Sequence, residues 1–459
     1  MRKTIYAKMT ALSVSLCTLA FSVSSCGSSD YKKYTDNEGK QVASILRAND
    51  CLACHSENAP VPFYGNLPFI GNVVKKDMRE AVRYVDLSAM VEALENDEPV
   101  SETDLAKVEN TAMSGSMPPA KYSRMPMHWG TSLDDSEKAV ILAWAKDVRK
   151  NHFTTETVAE EFQNEPLQPL MKSLPTDSAK VALGYALFHD TRLSADNTVA
   201  CATCHGLNTG GVDNKQFSEG INGQKGGVNA PTVYNAALNF VQFWDGRAAD
   251  LKDQAAGPPL NPVEMGCSSF DQICEALAQD KEFTKKFMEV YPEGYSQSTI
   301  TDAIAEFEKT LLTPSRFDKY LMGDKNALTA EEIEGYELFK ENKCATCHVG
   351  VNVGGQSYES MGIKANYFDF RGTPLTDGDK GRYSVTKKDA DMHKFKTPTL
   401  RNIMLTYPYM HDGSVASVDD AVRIMFQQEL GKKTTDAETQ KIVTFLKTLT
   451  GEYNGQPLQ

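Results

Sequence analysis

The chain has 459 residues, enough for several domains, and its formal net charge is −13. This acidic balance argues against a nucleic-acid partner, because such a partner requires a basic face. For this length the charge is moderate, and it excludes little else.

The N-terminus has the features of an export signal. Basic residues precede a mildly apolar run, 9–23, which is too short to be a good membrane span. The run ends in Val23-Ser-Ser-Cys26, and small residues directly before a cysteine resemble the lipobox of a bacterial lipoprotein. We therefore predict a signal peptide, 1–25, then a lipid-modified Cys26 on a polar tether, 26–40, in a periplasmic protein anchored to a membrane. An ordinary signal peptide cut nearby is the alternative.

Three C-x-x-C-H motifs occur, at Cys51–His55, Cys201–His205 and Cys344–His348. This spacing is typical of c-type haem attachment, because two thiols add to the vinyl groups on one porphyrin edge and the next residue, histidine, lies under the iron. A thioredoxin-like pair or half a zinc site does not require that histidine in every copy. We predict three covalent haems, attached through Cys51, Cys54, Cys201, Cys204, Cys344 and Cys347, with His55, His205 and His348 as iron ligands.

Four cysteines lie outside these motifs. Cys17 is inside the predicted signal and Cys26 is the lipid candidate. Because an exported protein permits a disulfide, we predict a structural bridge between Cys267 and Cys274, with free thiols as the alternative.

The segments around the second and third motifs repeat one pattern. Gly184-Tyr-Ala-Leu-Phe188 precedes the second motif, Gly335-Tyr-Glu-Leu-Phe339 precedes the third, and a Gly-Gly pair follows each. Helix start signals predict helices that run into these motifs, and another helix at the end of the first haem segment: 177–189, 329–341 and 135–150. No strand-rich region stands out, so the predicted fold is mostly α. The predicted parts are an N-terminal haem domain, a linker and two further haem domains that form a duplicated cytochrome c-like pair: 41–150, 151–168, 169–328 and 329–459.

Several stretches within about 170–455 resemble the bacterial dihaem cytochrome c peroxidases and occur in that family's order. The stretches are Asn229-Ala-Pro-Thr-Val233, Gln242-Phe-Trp-Asp-Gly-Arg247, Asn261-Pro-Val-Glu-Met265, Lys396-Thr-Pro-Thr-Leu-Arg-Asn402 and Tyr407-Pro-Tyr-Met-His-Asp-Gly413. The segment 41–150 resembles a haem-binding domain that is fused to some of these enzymes and gives trihaem versions. The resemblance implies a peroxidase that reduces hydrogen peroxide with electrons relayed between covalent haems.

Peroxide chemistry needs one iron with an open position, whereas electron transfer is better served by two protein ligands. For the third haem, the resemblance places the second ligand at Met425, which makes this haem a high-potential relay; a core methionine is the alternative. For the first haem we predict Met117, which two prolines follow. Its close competitors are His128, Met113, Met125 and Met127.

At the second haem, the resemblance places Glu264 beside the open face, with Gln254 and Phe243 lining the same pocket. A carboxylate there takes a proton from the near oxygen of peroxide and hands it to the far oxygen, which leaves as water. For an isolated glutamate, a solvated surface charge is the alternative.

One position departs from the family. Many members carry a histidine eight residues before the Asn of the Asn-Ala-Pro-Thr run, and it caps the peroxidatic iron until the other haem is reduced. Here that position is Ile221, which cannot ligate iron, and Asn222 is a poor ligand. We predict a second haem that is open at rest and needs no reductive activation.

Trp244 matches the family's bridging tryptophan between the paired haems, where it assists electron tunnelling, packs the interface, or does both. The resemblance also implies a calcium ion held by Asn229 and by the backbone carbonyls of Thr406 and Pro408. His411 is expected to contact a haem edge or a propionate.

The sequence thus predicts a lipid-anchored trihaem peroxidase whose donor is a small cytochrome or a membrane quinol. Two other classes stay open. One is a related oxidase that modifies a partner protein's tryptophans and carries a tyrosine at the position of Met425. The other is a multihaem electron carrier without catalysis. A homodimer is carried over from the dihaem family as an expectation.

Overall fold

The computed structural model describes residues 37–123 and 132–459, which form two compact units divided after His152. The division falls inside the predicted linker. Leu167 and Gln168, at the end of that linker, are fully buried, so the packed part of the second unit begins before residue 169. The predicted signal peptide and Cys26 lie outside the described residues, as do Met125, Met127 and His128.

The first unit is a small helical domain. Asn37 caps its first helix by accepting a hydrogen bond from the Lys40 amide, so the last residues of the predicted tether are already helical. The predicted helix over 135–150 begins one residue after Asp134, which forms a reciprocal capping box with Glu137. The helices are α1 Glu38–Ala48, α2 Ile70–Tyr84, α3 Leu87–Glu95, α4 Glu102–Ser114, α5 Ala120–Ser123 and α6 Asp135–Val148.

The second unit contains both remaining haem motifs. Its longer helices are α7 Ser178–Phe188, α11 Phe270–Ala278, α12 Lys281–Val290, α13 Gln297–Glu308, α15 Ala330–Glu341, α18 Val418–Gln428 and α19 Asp436–Lys447. Its shorter helices are α8 Cys201–Cys204, α9 Leu251–Ala255, α10 Gly257–Leu260, α14 Arg316–Leu321, α16 Tyr367–Arg371 and α17 Tyr383–Thr386. The two helices predicted to run into the haem motifs are confirmed as α7 and α15, capped by Asp177 and Thr329.

The duplication is visible as two helix crossings. Helix α7 packs on α13, and α15 packs on α19. A Cβ on Gly184 would lie 1.9 Å from the Ala303 carbonyl, and one on Gly335 would lie 2.2 Å from the Lys441 carbonyl. The glycine of each repeated Gly-Tyr-x-Leu-Phe run therefore marks the point where its helix crosses the partner helix.

Strands are short, which confirms the mostly α prediction. β1 (Tyr358–Ser360) pairs antiparallel with β2 (Lys394–Lys396), with Glu359 opposite Phe395, and β3 (Glu452–Tyr453) pairs with β4 (Gln456–Pro457). In the parts of the chain that the structure describes, no helix is both long and apolar enough to cross a membrane.

The predicted disulfide between Cys267 and Cys274 is wrong, because the structure has both as free thiols. The Cys267 thiol is buried and donates to the Leu193 carbonyl at 3.4 Å. Cys274 packs from α11 against the same apolar cluster. Both cysteines therefore serve as small apolar side chains here.

Candidate haem and peroxide site

The haem motifs share one local geometry. In each, the histidine amide donates to the carbonyl of the first cysteine at 3.0 Å: His55 to Cys51, His205 to Cys201 and His348 to Cys344. A single tight turn thus presents two thiols and an imidazole from one short segment. This is the arrangement that attachment to one porphyrin edge and its iron requires.

The imidazoles are prepared as neutral ligands. Nδ1 of His55 lies 3.1 Å from the Val85 carbonyl, and Nδ1 of His205 lies 3.3 Å from the Gly211 carbonyl. A proton on Nδ1 that is donated to a carbonyl leaves Nε2 free to bind a metal. Burial lowers the pKa of His205, and it lowers the pKa of His348 to about 4, so both rings are uncharged near neutrality.

The motif thiols do not resemble a redox pair. Burial raises the pKa of Cys51, Cys201 and Cys344 to about 12. Reactive Cys-x-x-Cys pairs need a lowered thiol pKa. The apolar pockets therefore suit attachment to a large apolar group better than thiol–disulfide exchange.

Glu264 lies close to the second haem motif. Its carboxylate accepts a hydrogen bond from Asn261 Nδ2 at 2.8 Å, and its negative charge contributes to the raised pKa of the Cys204 thiol, which is mainly due to burial. Burial also raises the pKa of the Glu264 carboxyl, while the Arg247 guanidinium and the Asn261 hydrogen bond act in the opposite direction. Glu264 is thus a half-buried carboxyl with one fixed oxygen.

The Phe243 segment faces the same region. Phe243 has a backbone φ of 65°, and the Arg247 guanidinium stacks 3.5 Å from its ring centroid. A Cβ on Gly257 would lie 3.5 Å from Phe243 Cζ. Gln254 lies half-buried on α9, three residues before Gly257. The structure therefore brings Phe243, Arg247 and Glu264 together and places Gln254 on the adjoining helix.

Arg247 is a site residue that the sequence analysis did not single out. Its ion pair with Asp245, 3.1 Å long, holds the guanidinium over the Phe243 ring. The signal was present in the Phe-Trp-Asp-Gly-Arg run, because Gly246 has a positive φ and turns the chain back toward Phe243.

The Ile221 loop rests directly on the Glu264 segment. The Ile221 amide donates to the Glu264 carbonyl at 2.9 Å, and Gln224 Nε2 donates to the Pro262 carbonyl at 2.9 Å. The Ile221 side chain is buried in an apolar cluster with Met265, whereas Asn222 is exposed. The loop therefore contributes a buried apolar side chain at position 221.

Trp244 connects the two halves of the second unit. Its indole N–H donates to the Asn229 carbonyl at 2.9 Å, and its own carbonyl accepts from the Lys396 amide at 2.8 Å. Its ring centroid lies 6.4 Å from those of Phe395 and His411. Trp244 thus joins the polypeptide of the second haem domain to β2 of the third.

His411 is buried and bonded within the protein. Its Nε2 lies 2.7 Å from Asp379, and Arg371 pairs with both Asp379 and Asp412, at 2.7 and 2.8 Å. The two carboxylates and the imidazole converge as metal ligands do. Arg371 already supplies one positive charge between the two carboxylates, and burial lowers the pKa of His411, so the cluster keeps a net charge of −1 when His411 is neutral.

The predicted calcium ligands lie on two segments that hydrogen bonds connect to each other or to the Asn214–Lys215 stretch. Asn229 donates through Nδ2 to the Lys215 carbonyl at 2.9 Å, and its amide donates to the His411 carbonyl. Asn214 caps the carbonyls of Leu405 and Tyr407. The carbonyls of the residues that follow these two, Thr406 and Pro408, accept no hydrogen bond from any described residue.

Of the two predicted methionine ligands, one lies on a helix and the other in a loop. Met425 is half-buried on α18, whose Ile424 and Phe426 belong to the same apolar cluster as Ala345 of the third motif. Met117 is half-buried in a loop, and the competitor Met113 is 69% exposed.

Near the first motif, Tyr122 packs in one apolar cluster with Cys54 and Met78. Met78 was not weighed from the sequence. Its side chain lies close to this motif, and its helical spacing is that of a core residue.

A second internal repeat supports the paired domains. Asn235 and Asn402 end runs that share Pro-Thr-x-x-Asn, and both have φ near 60°. Their side-chain amides both donate to Thr313 Oγ1, at 2.7 and 2.9 Å. This shared spacing was visible in the sequence and could have identified the two asparagines.

Comparison with known proteins assigns the chain's parts. The family models that match are a haem-binding domain over 17–147, di-haem cytochrome c peroxidase over 178–326 and cytochrome c over 333–450. Cytochrome c peroxidase Ccp of Escherichia coli (strain K12) is 47% identical over 91% of this chain and 89% of its own length. The chain belongs to the di-haem cytochrome c peroxidase family. The predicted family and enzyme class, an oxidoreductase acting on peroxide, are confirmed.

Two further similarities agree with this membership. Cytochrome c551 peroxidase of Nitrosomonas europaea is 47% identical over 63% of this chain and 85% of its own. The crystal structure of a MauG-like protein associated with microbial copper homeostasis matches with a TM-score of 0.55 and 28% identity, over 61% of this chain and 91% of that one. This di-haem peroxidase therefore carries an additional N-terminal haem-binding domain.

Proposed function

We propose that this chain reduces hydrogen peroxide to two waters at the haem attached to Cys201 and Cys204, with two electrons relayed from a small cytochrome or a membrane quinol. The observation that carries the proposal is the half-buried Glu264 carboxyl, held by Asn261 close to Cys204 and beside the Arg247–Phe243 pair. Bound haem supplies the redox-active iron that accepts peroxide.

The described residues fit three covalent haems. Each motif offers two thiols and a histidine from one turn, and the imidazole Nδ1 atoms of His55 and His205 face backbone carbonyls. Burial lowers the pKa of Lys396 to about 8, yet this amine pairs with no described carboxylate. A haem propionate would supply the missing anion.

Glu264 acts as the proton shuttle. Its deprotonated carboxylate takes the proton from the near oxygen of peroxide and delivers it to the far oxygen, so the O–O bond breaks with water as the leaving group. Asn261 fixes one carboxylate oxygen, and Arg247 stabilises the ionised form that must accept the proton. Phe243 and Gln254 line the pocket and exclude bulk water.

The loop at Ile221 would leave the second haem without a further protein ligand, and methionines would hold the other two haems as second ligands. The buried Ile221 and the exposed Asn222 support the first part, because neither offers a ligating atom to a buried iron. Met425 serves the third haem and Met117 the first. Trp244 carries electrons across the interface between the paired domains, supported by its bonds to Asn229 and Lys396.

A calcium ion binds near the same interface. The carbonyls of Thr406 and Pro408, which accept no hydrogen bond from a described residue, and the side-chain oxygen of Asn229 are hard oxygen ligands. Calcium there would tie the Asn229 run of one domain to the Tyr407–Pro408 turn of the other.

The mature protein is a periplasmic lipoprotein that works as a homodimer. Cleavage before Cys26 and lipidation of its thiol would hold the first unit near a membrane, within reach of quinol or of a diffusing cytochrome. Methionine at 425 disfavours the tryptophan-modifying oxidase, whose relatives carry tyrosine there. Ile221 and Glu264 together disfavour a carrier without catalysis.

Rapid mixing of the fully oxidised holoprotein with an equimolar amount of peroxide tests these proposals. We expect the Soret band to change within milliseconds, without reductant. If the band changes only after half-reduction, another residue caps the second haem, and the open resting state is wrong. If neither form reacts, the peroxidase proposal is wrong. An Ile221→His variant, compared with Ile221→Val, should slow the reaction of the oxidised form only.

A further inference from the structure

The first unit displays an unusual group of exposed apolar side chains. Phe69 is 92% exposed and Phe63 is 72% exposed. Four more large apolar residues in the same stretch are 40–47% exposed: Val61, Leu67, Ile70 and Val73. Contiguous exposed apolar surface of this kind marks an interaction site in soluble proteins.

The backbone holds these side chains outward. Phe69 has φ 66°, a strained conformation for an aromatic residue, and it directly precedes α2. The Gly71 amide donates to the Leu67 carbonyl at 2.9 Å, and a Cβ on Gly71 would lie 2.4 Å from the Gly65 carbonyl. The protrusion is therefore packed tightly against the start of α2.

The same face of α2 is basic. Lys76, Arg79 and Arg83 are exposed and recur at helical spacing from Val73 onward, so they follow the apolar group along one side of the helix. Arg79 and Arg83 form no ion pair with a described residue, and Lys76 has only a 3.6 Å contact with Glu80. This concentration of cations contrasts with the net charge of −13 of the whole chain.

We propose that this apolar–basic face, formed by the six exposed apolar residues of 61–73 with Lys76, Arg79 and Arg83, docks on an anionic phospholipid surface. Aromatic and aliphatic side chains enter the boundary between headgroups and acyl chains, and cations bind the headgroup phosphates. The inference rests on the proposed anchor in one respect. From Cys26 to Asn37 the chain reaches at most about 40 Å, so a lipidated Cys26 keeps Asn37, where this unit begins, within that distance of a bilayer.

Docking would fix the first haem domain against the bilayer, which suits an electron donor dissolved in the membrane. An acidic protein partner is the competing occupant. An acidic protein would need the basic side chains of α2 for recognition, but it would not need two exposed phenylalanines that insert into lipid.

Vesicle sedimentation tests this face. The haem-loaded full chain carries Cys26→Ser, which removes the proposed lipid, so that any binding comes from the face alone. We expect binding to vesicles of phosphatidylethanolamine and phosphatidylglycerol, and little to phosphatidylcholine alone. Phe63→Ser/Phe69→Ser should weaken binding by about tenfold or more. Lys76→Gln/Arg79→Gln should weaken it by about 25-fold, since each cation near an anionic surface contributes about fivefold. The matched controls in the second unit, Leu375→Ser and Lys285→Gln/Lys286→Gln, should bind unchanged.

No binding by the unlipidated protein, or equal losses in the controls, overturns the proposal. If the face variants no longer form a complex with an acidic cytochrome but still bind vesicles, the proposal is also overturned, and the face is assigned to a protein partner. Mass spectrometry of the mature protein that keeps Cys26 decides separately whether this cysteine carries lipid. Peroxide turnover and the Soret spectrum, both expected to be unchanged in the face variants, separate this proposal from the proposed peroxidase function.

Discussion

Glu264 combines burial with a single fixed hydrogen bond, so a change of this residue tests the proton shuttle directly. We expect Glu264→Gln to lower the rate of peroxide reduction by roughly 10²–10⁴-fold, the usual contribution of a positioned acid–base group. Steady-state peroxide consumption by the holoprotein measures it. The matched control is Glu219→Gln, an exposed carboxylate of the neighbouring loop that pairs with Lys215. A loss below about tenfold in Glu264→Gln would remove Glu264 from the chemistry.

Arg247 offers a test through pH. Burial raises the pKa of Glu264, and the Arg247 charge lowers it. A neutral residue at position 247 removes the lowering effect of that charge, so the pKa of Glu264 should rise. The shuttle needs the deprotonated form, which is lost as pH falls through this pKa. In Arg247→Gln the acid-side loss of the single-turnover rate should therefore occur at higher pH than in the parent protein.

Arg247→Lys is the control for this shift. It keeps the charge but loses the planar stack on Phe243, so the pH profile should return toward that of the parent. An acid limb that stays in place in Arg247→Gln would mean that Arg247 serves packing alone.

The haem attachment motifs were predictable from residue types alone, because a C-x-x-C-H turn is local and needs no tertiary contact. Arg247 escaped prediction because its stacking depends on the positive φ of Phe243 and Gly246. Cys267 and Cys274 were predicted wrongly, because export permits a bridge while the burial of Cys267 beside Leu193 makes its thiol a packing group.

At the scale of elements, the two helix crossings depend on glycine. Gly335→Ala would place a methyl group 2.2 Å from the Lys441 carbonyl, so α15 and α19 must separate. We expect a loss of about 1–3 kcal/mol in the free energy of unfolding, since overpacking outweighs the better helix propensity of alanine. Chemical denaturation of the holoprotein measures it. Gly227→Ala, where a Cβ meets nothing within 4 Å, should change little, and equal effects in both variants would contradict this account.

Helix ends were predictable because their caps are encoded within one turn, as at Asp177 and Thr329. The β1–β2 ladder was not predictable. Its strands have three residues each, and their pairing is reinforced by a tertiary contact, the bond between the Lys396 amide and the Trp244 carbonyl. Periodicity over three residues carries too little information to indicate a strand.

At the scale of the whole molecule, the end of the predicted linker does not coincide with the start of the packed second unit. Leu167 and Gln168 belong to the packed second unit, because a polar-looking stretch there ends in residues that fill its core. The meeting of Asn235 and Asn402 at Thr313 is likewise a long-range arrangement. Its repeat was readable, whereas its common partner was not.

The second unit is held together by a fully buried ion pair. Arg401 donates to Asp318 through both terminal nitrogens, at 2.8 and 3.0 Å, and through Nε to the Val351 carbonyl at 2.6 Å. The Asp318 carboxylate also accepts from the Leu170 amide at 2.8 Å. The pair thus ties together four segments that are distant in sequence.

Removing one partner leaves the other charge buried and unpaired. Arg401→Met should therefore lower the free energy of unfolding of the holoprotein by about 3–5 kcal/mol. The double variant Arg401→Met/Asp318→Leu should recover much of this loss, because an apolar pair carries no desolvation penalty. Breaking the exposed pair with Lys319→Met, which frees Glu452 at the surface, should cost at most about 1 kcal/mol. Denaturant titration followed at the Soret band measures all three. A double variant no more stable than Arg401→Met would show that the lost hydrogen bonds to Val351, Leu170 and Ser315, rather than the stranded charge, set the cost.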